Sequence, residues 1–195
     1  MQVRKVDQAL SDPGAGGWDA VAGEKVALSK VPIDAQPTEY IRVKWAGLPY
    51  GETADADVKA AHDGTNVFVR VEWAKDSEPN AEFHDASAVM LASGDSSAAN
   101  TMGSTDAPVQ LWLWQDGLDG VRNLDGTGPG AFANRGTNGI SAQASSADGR
   151  WAVVFSGPTA DAQASGKLGV AIWNGSNEER AGIGATSDWV ALEFD

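Results

Sequence analysis

Apolar and polar side chains alternate with a period of two through most of this chain, and that period predicts strands. Val67, Val69, Val71 and Trp73 alternate with Phe68, Arg70 and Glu72, as in a strand with one buried face. Ile41, Val43 and Trp45 alternate with Tyr40, Arg42 and Lys44, which predicts another strand. Val58–His62 leads into Asp63-Gly64-Thr65-Asn66, a cluster of turn formers that joins it to the Val67 run as a hairpin. Ala86–Leu91, Val109–Trp114, Trp151–Phe155, Leu168–Trp173 and Trp189–Phe194 are further runs, and Lys25–Leu28 adds one near the front. None contains the proline that would break a strand ladder. No convincing helix and no internal repeat stands out. About nine strands with glycine-rich turns between them predict an all-β fold, a single-domain antiparallel β-sandwich over residues 1–195 with long loops.

Two segments break the rhythm. Gln115–Gly149 is mostly Gly, Asn, Asp, Ser and Ala, and Ser93–Thr105 is a shorter stretch of the same kind. Unstructured loops beyond about 12–15 residues inside a compact domain are usually functional or disordered. Both segments flank the Val109–Trp114 run, so binding is expected at the strand ends, with disorder of residues 125–149 as the alternative.

Charge narrows the partners. Asp and Glu number 27 against 14 Lys and Arg, a net charge of −13. Such a surface repels nucleic acid and anionic lipid and keeps the chain soluble. It also suits a halophilic setting, where salt screens the self-repulsion. The absence of cysteine excludes disulfides, thiolate metal sites and a cysteine nucleophile. No run approaches the ~20 apolar residues of a membrane span, so direct membrane insertion is not expected. Met1–Lys5 carries two charges with no apolar run behind them, so no signal peptide is visible.

Catalytic chemistry is thin. The histidines are His62, before the hairpin turn, and His84, before a strand, and neither sits in a hydrolase or zinc-protease pattern. Gly126-Thr127-Gly128 neither follows a predicted strand nor opens a helix, so it is no phosphate cradle. Asp116, Asp119, Asn123 and Asp125 offer oxygens of the kind calcium takes, at no EF-hand spacing. Eight tryptophans are expected mainly in the core, but Trp112 and Trp114 are two apart on one strand, share a face, and also suit the wall of a planar ligand. Met90 reads as core filler. Met102 lies in the polar run Asn100-Thr101-Met102-Gly103-Ser104, where a lone thioether suits a soft ligand for a metal.

Met102-Gly103 followed by Pro108-Val109-Gln110-Leu111-Trp112-Leu113-Trp114 resembles the signature of the haem-b γ subunits of ethylbenzene dehydrogenase, dimethylsulfide dehydrogenase, selenate reductase and chlorate reductase. Phe83-His84-Asp85-Ala86-Ser87-Ala88-Val89, Gly149-Arg150-Trp151 and Val170-Ala171-Ile172-Trp173-Asn174-Gly175 with Glu179-Arg180 continue the resemblance in order, over roughly residues 38–195. It implies a sandwich holding one haem b between an axial methionine and an axial lysine. Its role would be to pass electrons to or from an iron–sulfur subunit that serves a molybdopterin catalytic subunit, without being an enzyme by itself. Met102 carries over as the methionine. The segment where the lysine is expected, Ala181–Ser187, has none; Lys167 is the nearest upstream substitute, with His62 and His84 as others, and a five-coordinate haem or none is also open. Trp112 and Trp114 would line the haem, and Arg135, Arg150 and Arg180 could pair with its propionates. The resemblance implies an extracytoplasmic complex exported with a partner, the cytoplasm staying open. The alternatives are a carbohydrate- or small-ligand-binding sandwich and a haem-less structural subunit of such a complex.

Overall fold

The computed structural model describes residues 1–75, 82–92, 99–136 and 139–195. Along the chain, β1 (Gln2–Lys5), β2 (Gly23–Lys30), helix α1 (Glu39–Trp45), β3 (Asp55–His62), β4 (Asn66–Ala74) and β5 (Ala86–Ala92) come first. They are followed by β6 (Val109–Gln115), β7 (Val121–Gly126), β8 (Phe132–Asn134), β9 (Ser141–Ala147) and β10 (Arg150–Pro158). Helix α2 (Thr159–Ser165), β11 (Lys167–Trp173), β12 (Ala185–Ser187), β13 (Val190–Ala191) and β14 (Glu193–Phe194) complete it.

The strands form one hydrogen-bonded path, β8-β7-β6-β5-β11-β12-β2-β3-β4-β10-β9. The path folds over at β2. Gly23–Ala27 pairs with β3, whereas Leu28–Lys30 pairs with β12. Two layers result, and their facing side chains share one core. Val58, Val69, Val71 and Phe155 of the first layer meet Val89, Leu91, Trp112, Val170 and Ile172 of the second. Pairing is antiparallel except at β1, which runs parallel to β3 and β14. The fold is therefore the expected all-β sandwich, and the β3–β4 hairpin falls where the turn cluster put it. Asp63 holds that turn by accepting from the Thr65 and Asn66 amides at 2.8 and 2.7 Å.

Three expectations need correction. Ile41–Trp45 is helical. Thr38 caps α1 by accepting the Ile41 amide at 3.3 Å, and Glu39 near its start with Arg42 and Lys44 near its end suit the helix dipole. On the helix, Ile41 and Trp45 are one turn apart and pack with Tyr50 and Ile183, while Val43 turns outward. Second, Gln115–Gly149 is not one long loop, since β7, β8 and β9 lie inside it; residues 137 and 138 fall outside the described residues. The exposed β9 pairs with β10 from Ser141↔Ser156 to Ala147↔Arg150, held by backbone bonds rather than by apolar side chains. Third, the described residues form a sheet of 14 strands, partly because Trp189–Phe194 divides into β13 and β14. Of the shorter loop expected at Ser93–Thr105, residues 93–98 also lie outside the described residues.

Trp112 shows how tightly the layers meet. A Cβ at Gly157 of β10 would lie 2.5 Å from the tip of its fully buried ring. Gly157→Ala should lower stability by about 1–3 kcal/mol through overpacking. A urea-unfolding midpoint equal to the wild type's would refute this reading of the interlayer contact.

Candidate functional site

The face of β11, β5, β6 and β7 that points away from the shared core carries a second apolar cluster. Ala86, Ala88 and Met90 of β5, Leu111 and Leu113 of β6, Leu124 of β7, and Ala171 and Trp173 of β11 belong to it. Small residues, Ala86 and Ala88 of β5 and Gly169 and Ala171 of β11, stand among larger ones on this face. At Gly169 of β11 an added Cβ would sit 3.0 Å from the Met90 methyl and 3.4 Å from Ala99. The Met90 methyl, Ala99 and the Trp189 ring cover the gap that Gly169 leaves.

Met102 is fully buried in this cluster, at φ 53°, with its amide donating to the Ala99 carbonyl at 2.9 Å. Gly103 follows at φ 89°, and a Cβ at Gly126 would lie 2.7 Å from the Met102 carbonyl oxygen. The Met102-Gly103 turn thus rests directly on the end of β7, and glycines at 103 and 126 permit the approach. Burial explains why an apolar residue stands in so polar a run.

Register places Lys167 at the same end of this face. Leu168 pairs with Leu91, Ala92 with Val109, and Val109 with Gly126, so Lys167, Ala92, Val109 and Gly126 lie close to one row across four strands. Three strand spacings, roughly 14 Å, separate Lys167 from Gly126 beneath Met102. The Lys167 ammonium lies 5.3 Å from the centre of the Trp189 ring, and the buried Trp189 indole N–H has no hydrogen-bond partner.

A cavity of about 390 Å³ opens at the other end, over Ala86, Leu113 and Trp173, with Phe83, His84, Phe132, Arg122 and Arg180 around it. Arg122 donates to the Gln115 side-chain oxygen at 2.9 Å. The Arg180 guanidinium lies over the Phe83 ring at 4.3 Å. Glu179, also in the lining, is 3% exposed and accepts from the Gly51 and Asn174 amides and the Asn177 side chain at 2.7, 3.0 and 3.1 Å. Burial pushes its carboxyl above the usual carboxylate range, against the pull of those donors.

The other residues singled out from the sequence are dispersed. Trp112 and Trp114 point into the shared core, on the opposite side of β6 from Met102. Trp114 packs edge-on against Trp151 and Trp73, with ring centres 5.0 and 6.3 Å away, and the Trp151 N–H donates to Asp85 at 2.8 Å. Arg150 bonds Glu72 and Asp57 on the other layer, at 2.6 and 2.7 Å. Arg135 pairs with Asp125 at 3.1 Å. His62 is buried against Phe194, 3.6 Å from Asp195, also on the other layer. Asn123 accepts from Gln110, and among the described residues no group of three or more His, Cys, Asp or Glu converges as a metal site. Every tryptophan but the half-buried Trp189 is buried, so the described residues form no exposed indole platform. Sequence reasoning misses Arg122 and Phe132, and names Phe83 and Glu179 only as members of the resemblance's motifs.

No family model matches the chain. It is 27% identical over 201 residues to a protein of Haloferax mediterranei provisionally named respiratory nitrate reductase heme subunit ORF7. That relative carries a haem subunit's name. The match covers 93% of this chain and 67% of the relative. In fold, the chain resembles the crystal structure of a provisionally assigned carbohydrate-binding protein from Bacteroides uniformis. The TM-score is 0.55 at 10% identity, over 100% of this chain and 98% of that one, a likeness of architecture alone.

Glu179 links the loops around the cavity to pH. Its raised value means that its contribution to stability is fully present below the ordinary value of 4.5 and is lost as pH rises through the raised one. Glu179→Gln should flatten the change in unfolding midpoint between mildly acid and neutral pH. An unchanged slope in that variant would rule the carboxyl out as its source.

Proposed function

We propose that this chain is a haem-carrying electron-transfer subunit of a respiratory oxidoreductase complex and is not an enzyme by itself. The observation that carries the reading is the similarity, along nearly the whole chain, to a protein named as a respiratory nitrate reductase heme subunit. The outer face of the second layer supports it. Met102 is held there by its glycine-dependent turn, and Lys167 stands at the same end.

The donor chemistry fits haem b. A thioether and an amine are both competent axial ligands for its iron, and the unpartnered Trp189 N–H leaves a buried donor beside Lys167 for a polar group. Bound there, a haem supplies one-electron transfer. Met102 would favour reduced iron and raise the potential. Of the three arginines, Arg180 lines the cavity on the same face, and a propionate reaching that cavity would pair with it. On this reading the partners are an iron–sulfur subunit and a molybdopterin catalytic subunit. The complex works outside the cytoplasmic membrane, the chain being exported with a partner.

Optical spectra of protein produced with a haem supply test the proposal. A Soret band and a reduced b-type α band are expected, and their absence would sink it. Met102→Leu keeps the side-chain volume and removes the thioether, so it should shift the α band and lower the midpoint potential. Lys167→Gln should alter the oxidised spectrum. Spectra indifferent to both substitutions would place the iron elsewhere.

A further inference from the structure

Two arginines face the cavity of about 390 Å³ on the outer side of the second layer. Arg122 of β7 stands directly opposite Leu113, and Leu113 opposite Ala88, so its side chain belongs to that face. Arg180 reaches the cavity from the segment after β11, with β5 and β6 lying between the two. On the rest of the sandwich arginine meets carboxylate: Arg70 and Arg150 each hold Glu72 at 2.6 Å, and Arg135 holds Asp125 at 3.1 Å. Arg122 donates instead to the Gln115 side-chain oxygen and Arg180 to the Glu178 carbonyl. Among the described residues neither guanidinium has an ion pair, in a chain with 27 acidic residues.

The two acids in the lining do not take these cations. Glu179 Oε1 accepts from the Gly51 amide and the Asn177 side chain, and its Oε2 from the Asn174 amide, so both oxygens serve the loops behind the cavity. Glu82 is exposed to solvent and forms no ion pair with either guanidinium. A strained turn aims Arg180. Glu178 and Ala181, on either side of Glu179-Arg180, take φ 58° and 54°, a left-handed conformation that disfavours any residue with a Cβ. The Trp173 indole N–H holds the turn by donating to the Ala181 carbonyl at 2.9 Å. A Cβ at Gly130 would lie 3.1 Å from the Ala181 Cβ, so the β7–β8 loop braces the turn as well. Backbone strain that its surroundings enforce in this way clusters where a ligand is gripped.

We propose that this cavity binds the carboxylate of a flat, largely apolar organic acid, clamped between Arg122 and Arg180. Ala86, Leu113 and Trp173 give it an apolar floor, and Phe83 and Phe132 stand beside them. A ring can lie there while guanidinium forks match the acid group, the usual division of a small-ligand site into apolar lining and a few convergent polar groups. β7 and β11 are three strand spacings apart, roughly 14 Å, a gap that two arginine side chains narrow from either side. An amine would meet two like charges, and a neutral sugar would leave both forks unmatched. The carboxylate has two sources, a free aromatic acid or a propionate of the proposed haem. The inference goes beyond the haem reading, because a free acid uses the same two groups with no haem present.

The probe is 4-fluorobenzoate, followed by fluorine NMR on the whole chain prepared without haem and then titrated with haem. Saturable binding is expected, with the uncharged 4-fluorobenzamide at least tenfold weaker. Arg122→Gln and Arg180→Gln should each weaken the probe at least fivefold, and the double variant should lose it. Arg135→Gln, whose guanidinium serves Asp125, should leave binding unchanged. Circular dichroism reports folding of each variant, and Arg122→Gln, on a regular strand, decides the matter if Arg180→Gln disturbs the strained turn. Haem that expels the probe, and that leaves the Arg180→Gln protein faster than the wild type, assigns the carboxylate to a propionate. Haem and probe bound together assign it to a free acid, and either result supports the site. Probe binding with no Soret band on haem addition removes the haem reading and keeps this one. A probe that does not saturate, an amide that binds as tightly, or a double variant that binds like the wild type overturns the proposal. Displacement of the probe by cellobiose, with no loss of cellobiose binding in the double variant, also overturns it.

Discussion

The divided pairing of β2 is the constraint on which the rest depends. One strand gives its first residues to β3 and its last to β12, which turns a long ribbon of strands into two stacked layers. The stacking creates a shared interior and, with it, two outer faces that need covers of their own. The first layer is covered by the segment around Leu10, Trp18 and Val21, and the second by the turn at Met102, Trp173 and their neighbours. The candidate cofactor face therefore follows from closing the sandwich, because a sheet with both faces apolar has to be roofed.

The roof over the second layer is assembled from chain segments far apart in sequence. Met102 reaches the face only because Gly103 and Gly126 let two backbones approach. On the proposed reading, a sheet face would supply the flatness that a planar cofactor needs, and the Met102 turn and the first residue of β11 would supply its ligands.

Much of the fold was legible because its signal was local. The β3–β4 hairpin combines strict alternation with an Asp-Gly turn, and the structure follows both. Strand β9 was not legible, since its serines and alanines carry no apolar pattern and its pairing is set by the neighbouring β10. In α1 the period of two was misleading; the Pro37-Thr38-Glu39 cap was the competing signal, and tertiary packing of Ile41 and Trp45 decided the outcome. Met102 stood out as an apolar residue without a local reason, and its burial in the second cluster supplies one. The face on which it lies could not be read, because both faces of β6 are buried and alternation names two faces without ranking them. Lys167 and Met102 are 65 positions apart in sequence, and only strand register brings them to one end of the sheet.

The cluster of Trp73, Trp114 and Trp151 has an optical consequence. Indoles packed edge-on in a dry core emit from an environment that barely relaxes, and they exchange excitation among themselves before emitting. Trp114 and Met102 belong to opposite faces of the same layer, so a haem on the outer side would lie within a few layer thicknesses, each about 10 Å, of these rings. A strongly absorbing porphyrin at that range drains excited indoles by resonance. The light this protein emits would then measure, without any added label, whether the far side of the sheet is occupied.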